Sequence, residues 1–248
     1  MRLKDILTEE DNTKTSLQNF LDSLRNETLY DEQQPLLRGM TNQPDYGKRG
    51  IRKDRQPRDS SLGDTMIFNE LFRKIHGIDF IRSRGAFLTS SYRDAVYYTK
   101  DNKTPQNVYF TFPTKGSTFV YNPNISDSVD TLVVHQPLAV NRAFQNVSAD
   151  PTKDTMQDAL DRMGETFREN VEPIINSSLR DSEKIVQGYE TSKFVPTFDR
   201  PTEVILLGDQ YYFISITKVF DLLDLQFDTR EIDYVYEKFI TNWVENET

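Results

Sequence analysis

Hydrophobic residues recur along the chain at two kinds of interval, and each interval predicts a different kind of element. Spacings of three and four residues predict amphipathic helices at residues 15–26, 64–75, 155–171 and from 232 onward. Alternating or continuous apolar runs predict strands beginning at Pro35, ending at Phe87–Leu88, and at residues 107–112, 117–121, 130–135, 202–207 and 210–216. The pattern therefore predicts a mixture of helices and strands.

Turn and loop signals separate these elements. Lys115–Gly116 and Gly208–Asp209 predict tight turns, and the second turn predicts a hairpin between its flanking strands. Residues 46–59 combine two glycines and a proline with little apolar content, which predicts a loop. Pro173 predicts the end of the third helix. Without an internal repeat or a long linker, we expect an N-terminal helical segment (1–29) packed on a single domain (30–248).

The amino-acid composition limits which kinds of binding or catalytic site the chain can form. Hydrophobic residues make up 36% and charged residues 28%, a balance typical of globular proteins. The chain has no cysteine, which excludes disulfides and thiolate sites, and its two histidines do not favour a metal site, so we expect no metal. No apolar run has the length of a membrane span or of a signal peptide, so we expect a cytoplasmic protein.

A basic segment interrupts an otherwise acidic chain, whose formal net charge is −9. Six cations lie close together in it: Lys48, Arg49, Arg52, Lys53, Arg55 and Arg58. Such a cluster either binds the phosphates of a dinucleotide or nucleic acid, or is solvated and paired with neighbouring acids. The candidate phosphate-binding residues are Arg52, Arg55, Arg58, Arg82 and Arg84, the last two sharing one face if residues 80–85 are extended.

Three short motifs carry the candidate chemistry. Arg38–Gly39 ends an apolar strand, where the planar guanidinium could bind an anion at two points or form a surface salt bridge. Phe87-Leu88-Thr89-Ser90-Ser91 ends another strand, and Ser91 could cap a short helix at 93–96. Glu203 begins a wholly apolar strand, where a carboxylate is costly unless it is solvated or paired.

Taken in their order along the chain (Arg38–Gly39, then residues 87–91, then Glu203), the three motifs resemble those of the arginine–serine–glutamate class of ADP-ribosyltransferases. The resemblance spans about residues 30–220. It implies an α+β fold with a split, mostly antiparallel β-sheet core, flanking helices and an NAD-binding cleft. Arg38, Thr89 and Glu203 would be the catalytic residues. Cofactor binding would involve Arg38, Gly39, Phe87, Thr89, Ser90 and Ser91.

Each motif residue has a role in this resemblance. Arg38 would hold an NAD phosphate and Gly39 the nicotinamide amide, while Thr89 takes the place of the first serine of the family's Ser-Thr-Ser pattern. Glu203 would hydrogen-bond the ribose and stabilise positive charge as the glycosidic bond breaks. The loop at 194–201 would recognise the acceptor, with Phe198, exposed for contact, and Asp199 and Pro201 beside it.

One position departs from the family. Members that modify arginine carry Gln or Glu two residues before the final glutamate, where this chain has Pro201. The sequence therefore leaves three classes of acceptor: a protein side chain, a nucleic acid or a small molecule. The first seven residues resemble those of bacteriophage-encoded proteins, which would imply a host target and the host cytoplasm. The alternatives are a non-catalytic binding or virion accessory protein with this fold, and an NAD glycohydrolase or a nucleic-acid-directed transferase.

Overall fold

The computed structural model describes residues 16–31, 34–55, 60–99, 107–125 and 138–245. Its strands are β1 (Leu36–Gly39), β2 (Tyr46–Gly50), β3 (Ala86–Thr89), β4 (Val108–Pro113), β5 (Thr118–Tyr121), β6 (Glu190–Ser192), β7 (Glu203–Leu207) and β8 (Gln210–Ser215). Its helices are α1 (16–27), α2 (Leu62–His76), α3 (Ile81–Arg84), α4 (Tyr92–Tyr97), α5 (Leu138–Asn146), α6 (Met156–Asp161), α7 (Glu165–Gln187), α8 (Ile216–Leu222) and α9 (Ile232–Phe239). A π-helical segment, Ile240–Glu245, follows α9.

The eight strands of the described ranges belong to one sheet, in the order β2-β8-β4-β1-β3-β7-β5-β6. Every strand pair in it is antiparallel. The predicted α+β class is therefore confirmed.

The sheet must fold back on itself, because short connections join strands that lie far apart in its order. Four strand spacings separate β7 from β8, which is about 19 Å in a flat sheet. Only Gly208 and Asp209 connect the two strands, and such a link reaches about 11 Å at most. The predicted hairpin is therefore wrong: β7 pairs with β3 and β5, whereas β8 pairs with β2 and β4.

We call β2-β8-β4-β1 the first half-sheet and β3-β7-β5-β6 the second half-sheet. One apolar cluster, the inner core, takes side chains from both. Its buried members are Leu36, Met40, Ile51, Ala86, Leu88, Tyr109, Phe119, Val204, Leu206, Tyr211 and Phe213. Folding of the sheet thus encloses apolar area that neither half would bury alone.

Helices cover the other face of each half-sheet. Helices α1, α8 and α9 pack on the first half-sheet, and Phe20, Leu21 and Leu24 of α1 are buried there. Helices α2, α5, α6 and α7 pack on the second half-sheet, where Val120 and Ile205 meet them. Within the described ranges, no helix combines the length and apolar character needed to cross a membrane.

The helix predicted at 64–75 is confirmed as α2, and its ends have clear causes. Ser61 and Asp64 form a reciprocal capping box at its start. Gly77 ends it with a φ of 67°, a left-handed conformation that glycine adopts without steric cost.

Three other predictions need correction. The segment predicted as a loop at 46–59 begins with strand β2, whose polar residues are compatible with a sheet edge because only the backbone must pair. The segment at 80–85 is not extended: Ile81–Arg84 form a helical turn, so Arg82 and Arg84 point differently. The strand predicted at 130–135 lies outside the described residues.

The helix predicted at 155–171 is two helices. Helix α6 ends at Asp161, and α7 begins after Gly164 and continues through Pro173 to Gln187. An internal proline costs one backbone hydrogen bond. Val171, Ile175 and Val186 are buried along α7, and this apolar stripe outweighs that local cost.

Candidate functional site

The strands that carry the three predicted motifs are neighbours in the sheet. Strand β3 lies between β1 and β7. Thr89 is the register partner of Leu37 on one side and of Glu203 on the other. Adjacent strands lie about 4.8 Å apart, so the backbones at Arg38 and Glu203 are on the order of 10 Å from each other. Residues 165 positions apart in sequence thus meet where the two half-sheets join.

The two half-sheets part just beyond this point. Strands β1 and β3 share one register pair, Leu37 with Thr89, whereas β1 and β4 share four. Arg38 fills the resulting gap, where its Nη1 donates to the carbonyl oxygen of Phe87 at 3.2 Å. A side chain therefore takes the place of a ladder hydrogen bond between the strands.

Strand alternation separates Arg38 from the other two residues. Arg38 lies on the side of the inner core, since its guanidinium is 5.6 Å from the ring centroid of Tyr211. Thr89 and Glu203 share the opposite side with Phe87 and Ile205. The guanidinium of Arg38 reaches the gap between β1 and β3 through its contact with the Phe87 carbonyl.

The hydroxyl residues after β3 organise the chain locally. Thr89 is buried, and its Oγ1 accepts a hydrogen bond from the backbone N–H of Ser91 at 3.0 Å. Ser91 caps α4 by accepting from the backbone N–H of Asp94, as predicted. The two side chains fix the turn from strand to helix.

Ser90 acts across the sheet rather than on its own turn. Its Oγ accepts from the N–H of Thr202 at 2.9 Å, and its N–H donates to the Thr202 carbonyl at 3.0 Å. This reciprocal pair holds the residue that precedes Glu203. Glu203 itself is only 6% exposed. Ser90 therefore fixes the backbone at the start of β7.

Arg38 is a half-buried cation with no acidic partner among the described residues. Burial lowers the pKa of its guanidinium; the neighbouring Tyr211 raises that pKa, and the positive charge of Arg49 lowers it. A half-buried, unneutralised guanidinium is a suitable partner for an anion.

Gly39 has a packing reason to be glycine. A Cβ at this position would lie 2.2 Å from the carbonyl oxygen of Ala95 in α4 and 3.0 Å from the backbone nitrogen of Thr99. Both neighbours are backbone atoms, which cannot yield without moving the helix. The close approach of β1 and α4 therefore explains this glycine without any ligand.

The predicted acceptor loop has a different exposed aromatic residue from the one expected. Phe198 is half-buried against Tyr121, with ring centroids 5.5 Å apart, and the Gln34 side chain bonds its backbone N–H and carbonyl. Phe194 is exposed instead, at 78%. The exposure predicted for Phe198 is therefore wrong, because the side chain packs on the inner core. Asp199 and Pro201 are exposed.

The candidate phosphate-binding arginines are scattered. Arg52 pairs with Asp54 at 3.4 Å, and Arg84 stacks on Phe80. Arg55 and Arg82 both lie over the Phe87 ring, with Arg82 almost fully buried. Arg58 lies outside the described residues.

Two lysines of the basic segment are also paired with acids. This pairing agrees with the interpretation that the basic cluster is solvated and paired with neighbouring acids. Lys48 contacts Glu27 at 2.8 Å and Lys53 contacts Asp209 at 3.0 Å. Arg49 differs: it is exposed, forms no ion pair within the described ranges, and its positive charge acts on Arg38. Sequence reasoning did not single it out, because its place beside Arg38 depends on how β2 pairs with β8.

No family model matches the chain, and neither a curated protein nor a solved structure matches it.

The arrangement places a cation and a carboxyl group near one junction of the strands, on opposite sides of the sheet. Arg38 supplies positive charge in the gap, and Glu203 supplies a carboxyl group at the start of β7, held by Ser90 through Thr202. A ligand with an anionic part and a part that becomes cationic during reaction would use both groups only if it reached both sides of the sheet.

Proposed function

We propose that the protein is a mono-ADP-ribosyltransferase that cleaves NAD and transfers ADP-ribose to a macromolecular acceptor, a protein or a nucleic acid. The observation that carries the proposal is the register Leu37–Thr89–Glu203, with Arg38 in the adjoining gap. Motifs that resemble the family in sequence order are thereby neighbours in space. The folded antiparallel sheet with helices on both sides is consistent with the split fold that the resemblance implies.

The reaction needs charge stabilisation more than it needs a proton carrier. The bond between the ribose C1′ and the nicotinamide nitrogen breaks, and its electron pair leaves with nicotinamide, which becomes neutral. Positive charge then develops on the ribose, where the Glu203 carboxylate would stabilise it. The acceptor nucleophile forms the new bond to C1′ and gives up its proton to solvent.

Arg38 and Ser90 would serve this step by orientation. Arg38 would bind the dinucleotide phosphate with its planar fork, which fixes the position of the ribose relative to Glu203. Ser90 would hold the start of β7 through Thr202. Thr89, buried between Leu37 and Glu203, would steady the nicotinamide ribose and the carboxylate.

The proline at position 201 favours an acceptor other than an arginine side chain. Pro201 stands where arginine-modifying members carry an acidic or amide side chain, and a proline ring has no group to activate a guanidinium. Phe194, the exposed aromatic of the preceding loop, would contact the acceptor in place of Phe198. With a bacteriophage source, the acceptor would be a host molecule.

Release of nicotinamide from NAD tests the proposal. The change Glu203→Gln removes the charge and keeps the shape, so the rate should fall on the order of 100-fold or more. Glu190→Gln is the matched control, because Glu190 is an exposed carboxylate that bonds the Tyr121 hydroxyl at 3.0 Å. Labelled NAD incubated with cell lysate would then identify the acceptor.

Absence of nicotinamide release from the unaltered protein with every acceptor mixture would overturn the proposal in favour of the non-catalytic alternative. Equal rates for the unaltered protein and for Glu203→Gln would remove Glu203 from the catalytic role. Release without labelling of any macromolecule would identify a glycohydrolase instead.

A further inference from the structure

Two arginines that are 11 residues apart in sequence lie beside the same buried pair, Tyr211 and Met40, on the first half-sheet. Arg38 lies on β1 and Arg49 on β2, strands that are separated in the sheet by β4 and β8. Their positive charges interact, since Arg49 contributes to lowering the pKa of the Arg38 guanidinium. Like charges at short range cost free energy unless an anion lies between them.

Tyr211 and Met40 bring the two guanidinium groups together. Arg49 and Tyr211 are register partners on β2 and β8. The Tyr211 ring supports Arg38, and the Met40 sulfur lies 3.6 Å from the Tyr211 hydroxyl and 3.7 Å from Nη1 of Arg49. Tyr211 and Met40 are both buried, so the platform between the cations is part of the inner core.

Three other cations of the same segment do not share this arrangement. Lys48, Arg52 and Lys53 each contact a carboxylate. Neither Arg38 nor Arg49 does so within the described residues, although the chain carries a net charge of −9. Two neighbouring guanidiniums without acids in an acidic protein are characteristic of an anion site.

We propose that Arg49 and Arg38 together form a clamp for the diphosphate of a dinucleotide, with one guanidinium on each phosphate group. This inference rests on the proposed function for the identity of the dinucleotide, and it assigns Arg49 as a second phosphate-binding residue. Tyr211 is a positioning residue, because it orients Arg38 from beneath.

Binding of inorganic pyrophosphate, measured by calorimetry, tests the clamp without requiring any reaction. Arg49→Gln should weaken pyrophosphate binding about tenfold or more, because a charge-assisted contact is lost. Arg49→Lys, which keeps the charge and loses the planar fork, should give a smaller loss. Arg52→Gln removes the same charge three residues away on an exposed, ion-paired side chain and should leave binding unchanged.

Failure of the unaltered protein to bind pyrophosphate would overturn the clamp, as would equal binding by Arg49→Gln and Arg52→Gln. The same measurements distinguish a failure of the clamp from a failure of the proposed function. If NAD is cleaved and Arg49→Gln keeps the same KM for NAD, the clamp is wrong and the function stands. If pyrophosphate binds through Arg49 and NAD is never cleaved, the clamp stands and the function is wrong.

Discussion

At the scale of single residues, the hydrogen bonds of Ser90 decide how β7 begins. Thr89 and Ser91 shape their own turn, whereas Ser90 reaches Thr202 in another strand. The three hydroxyls look equivalent in the sequence, and only the sheet pairing distinguishes them. Sequence reasoning could therefore predict a hydroxyl cluster, but not which member bonds across the sheet to Thr202.

Replacing Ser90 with alanine tests this distinction. Ser90→Ala leaves the Thr202 N–H without its acceptor, which should cost about 1–2 kcal/mol of unfolding free energy in denaturant titrations. Under the proposed function, kcat should fall while the KM for NAD changes little. Thr155→Ala is the control: it removes the N-cap of α6, at about 1 kcal/mol, and should preserve kcat. A Ser90→Ala protein as stable and active as the unaltered one would contradict the assignment.

At the scale of elements, two capping boxes of the same design sit in opposite environments. Asp64 of α2 accepts from the Ser61 N–H through one oxygen, and its other oxygen is buried without a partner in the described part of the chain. Burial raises its pKa above the ordinary 3.8, although the bonds from Ser61 and the charge of Arg82 oppose the rise. Asp158 of α6 is exposed, and its bonds to Thr155 lower its pKa.

The opposite shifts predict opposite responses to pH. A raised pKa means that the stability contributed by protonated Asp64 is complete below pH 3.8 and is lost as pH rises through the raised value. The contribution of ionised Asp158 is present above pH 3.8 and is lost as pH falls through the lowered value. At neutral pH, Asp158→Asn should therefore destabilise the protein, whereas Asp64→Asn should leave it unchanged or stabilise it. Thermal melting of both variants from pH 3 to pH 7 gives the comparison, and equal losses at neutral pH would refute it.

Among the helices and strands, sequence patterns predict some elements and miss others. Helix α2 was predictable because its cap, its apolar stripe and its final glycine are all local signals. The continuation of α7 through Pro173 was not, since the burial of Val171 and Ile175 offsets a proline that would otherwise end a helix. Strand β2 was missed because an edge strand has few apolar residues to mark it.

At the scale of the whole molecule, the pairing of strands is the property that sequence could not supply. The strands β7 and β8 look like a hairpin because two turn residues separate two apolar runs. Strand β7 pairs instead with β3 and β5, and β8 with β2 and β4, all more than 80 residues earlier in the chain. The order of the three motifs was predictable, and their meeting at the junction of the half-sheets required the coordinates.

The shared inner core predicts that both half-sheets unfold together. Phe119 belongs to the second half-sheet and Phe213 to the first, and both are buried in that core. Phe119→Ala and Phe213→Ala should each cost about 3–5 kcal/mol. Hydrogen exchange should then show a similar loss of protection in both halves. Loss confined to the half that carries the substitution would show that the halves are independent units.

The close contact between β1 and α4 limits what a mutational survey of this region can reveal. Any side chain larger than hydrogen at Gly39 would collide with the main chain of Ala95. An alanine scan would thus score Gly39 as essential on grounds of volume, even if no ligand ever touched it. Only replacements that preserve the backbone, such as Arg38→Lys, would separate the chemistry of this strand from its architecture.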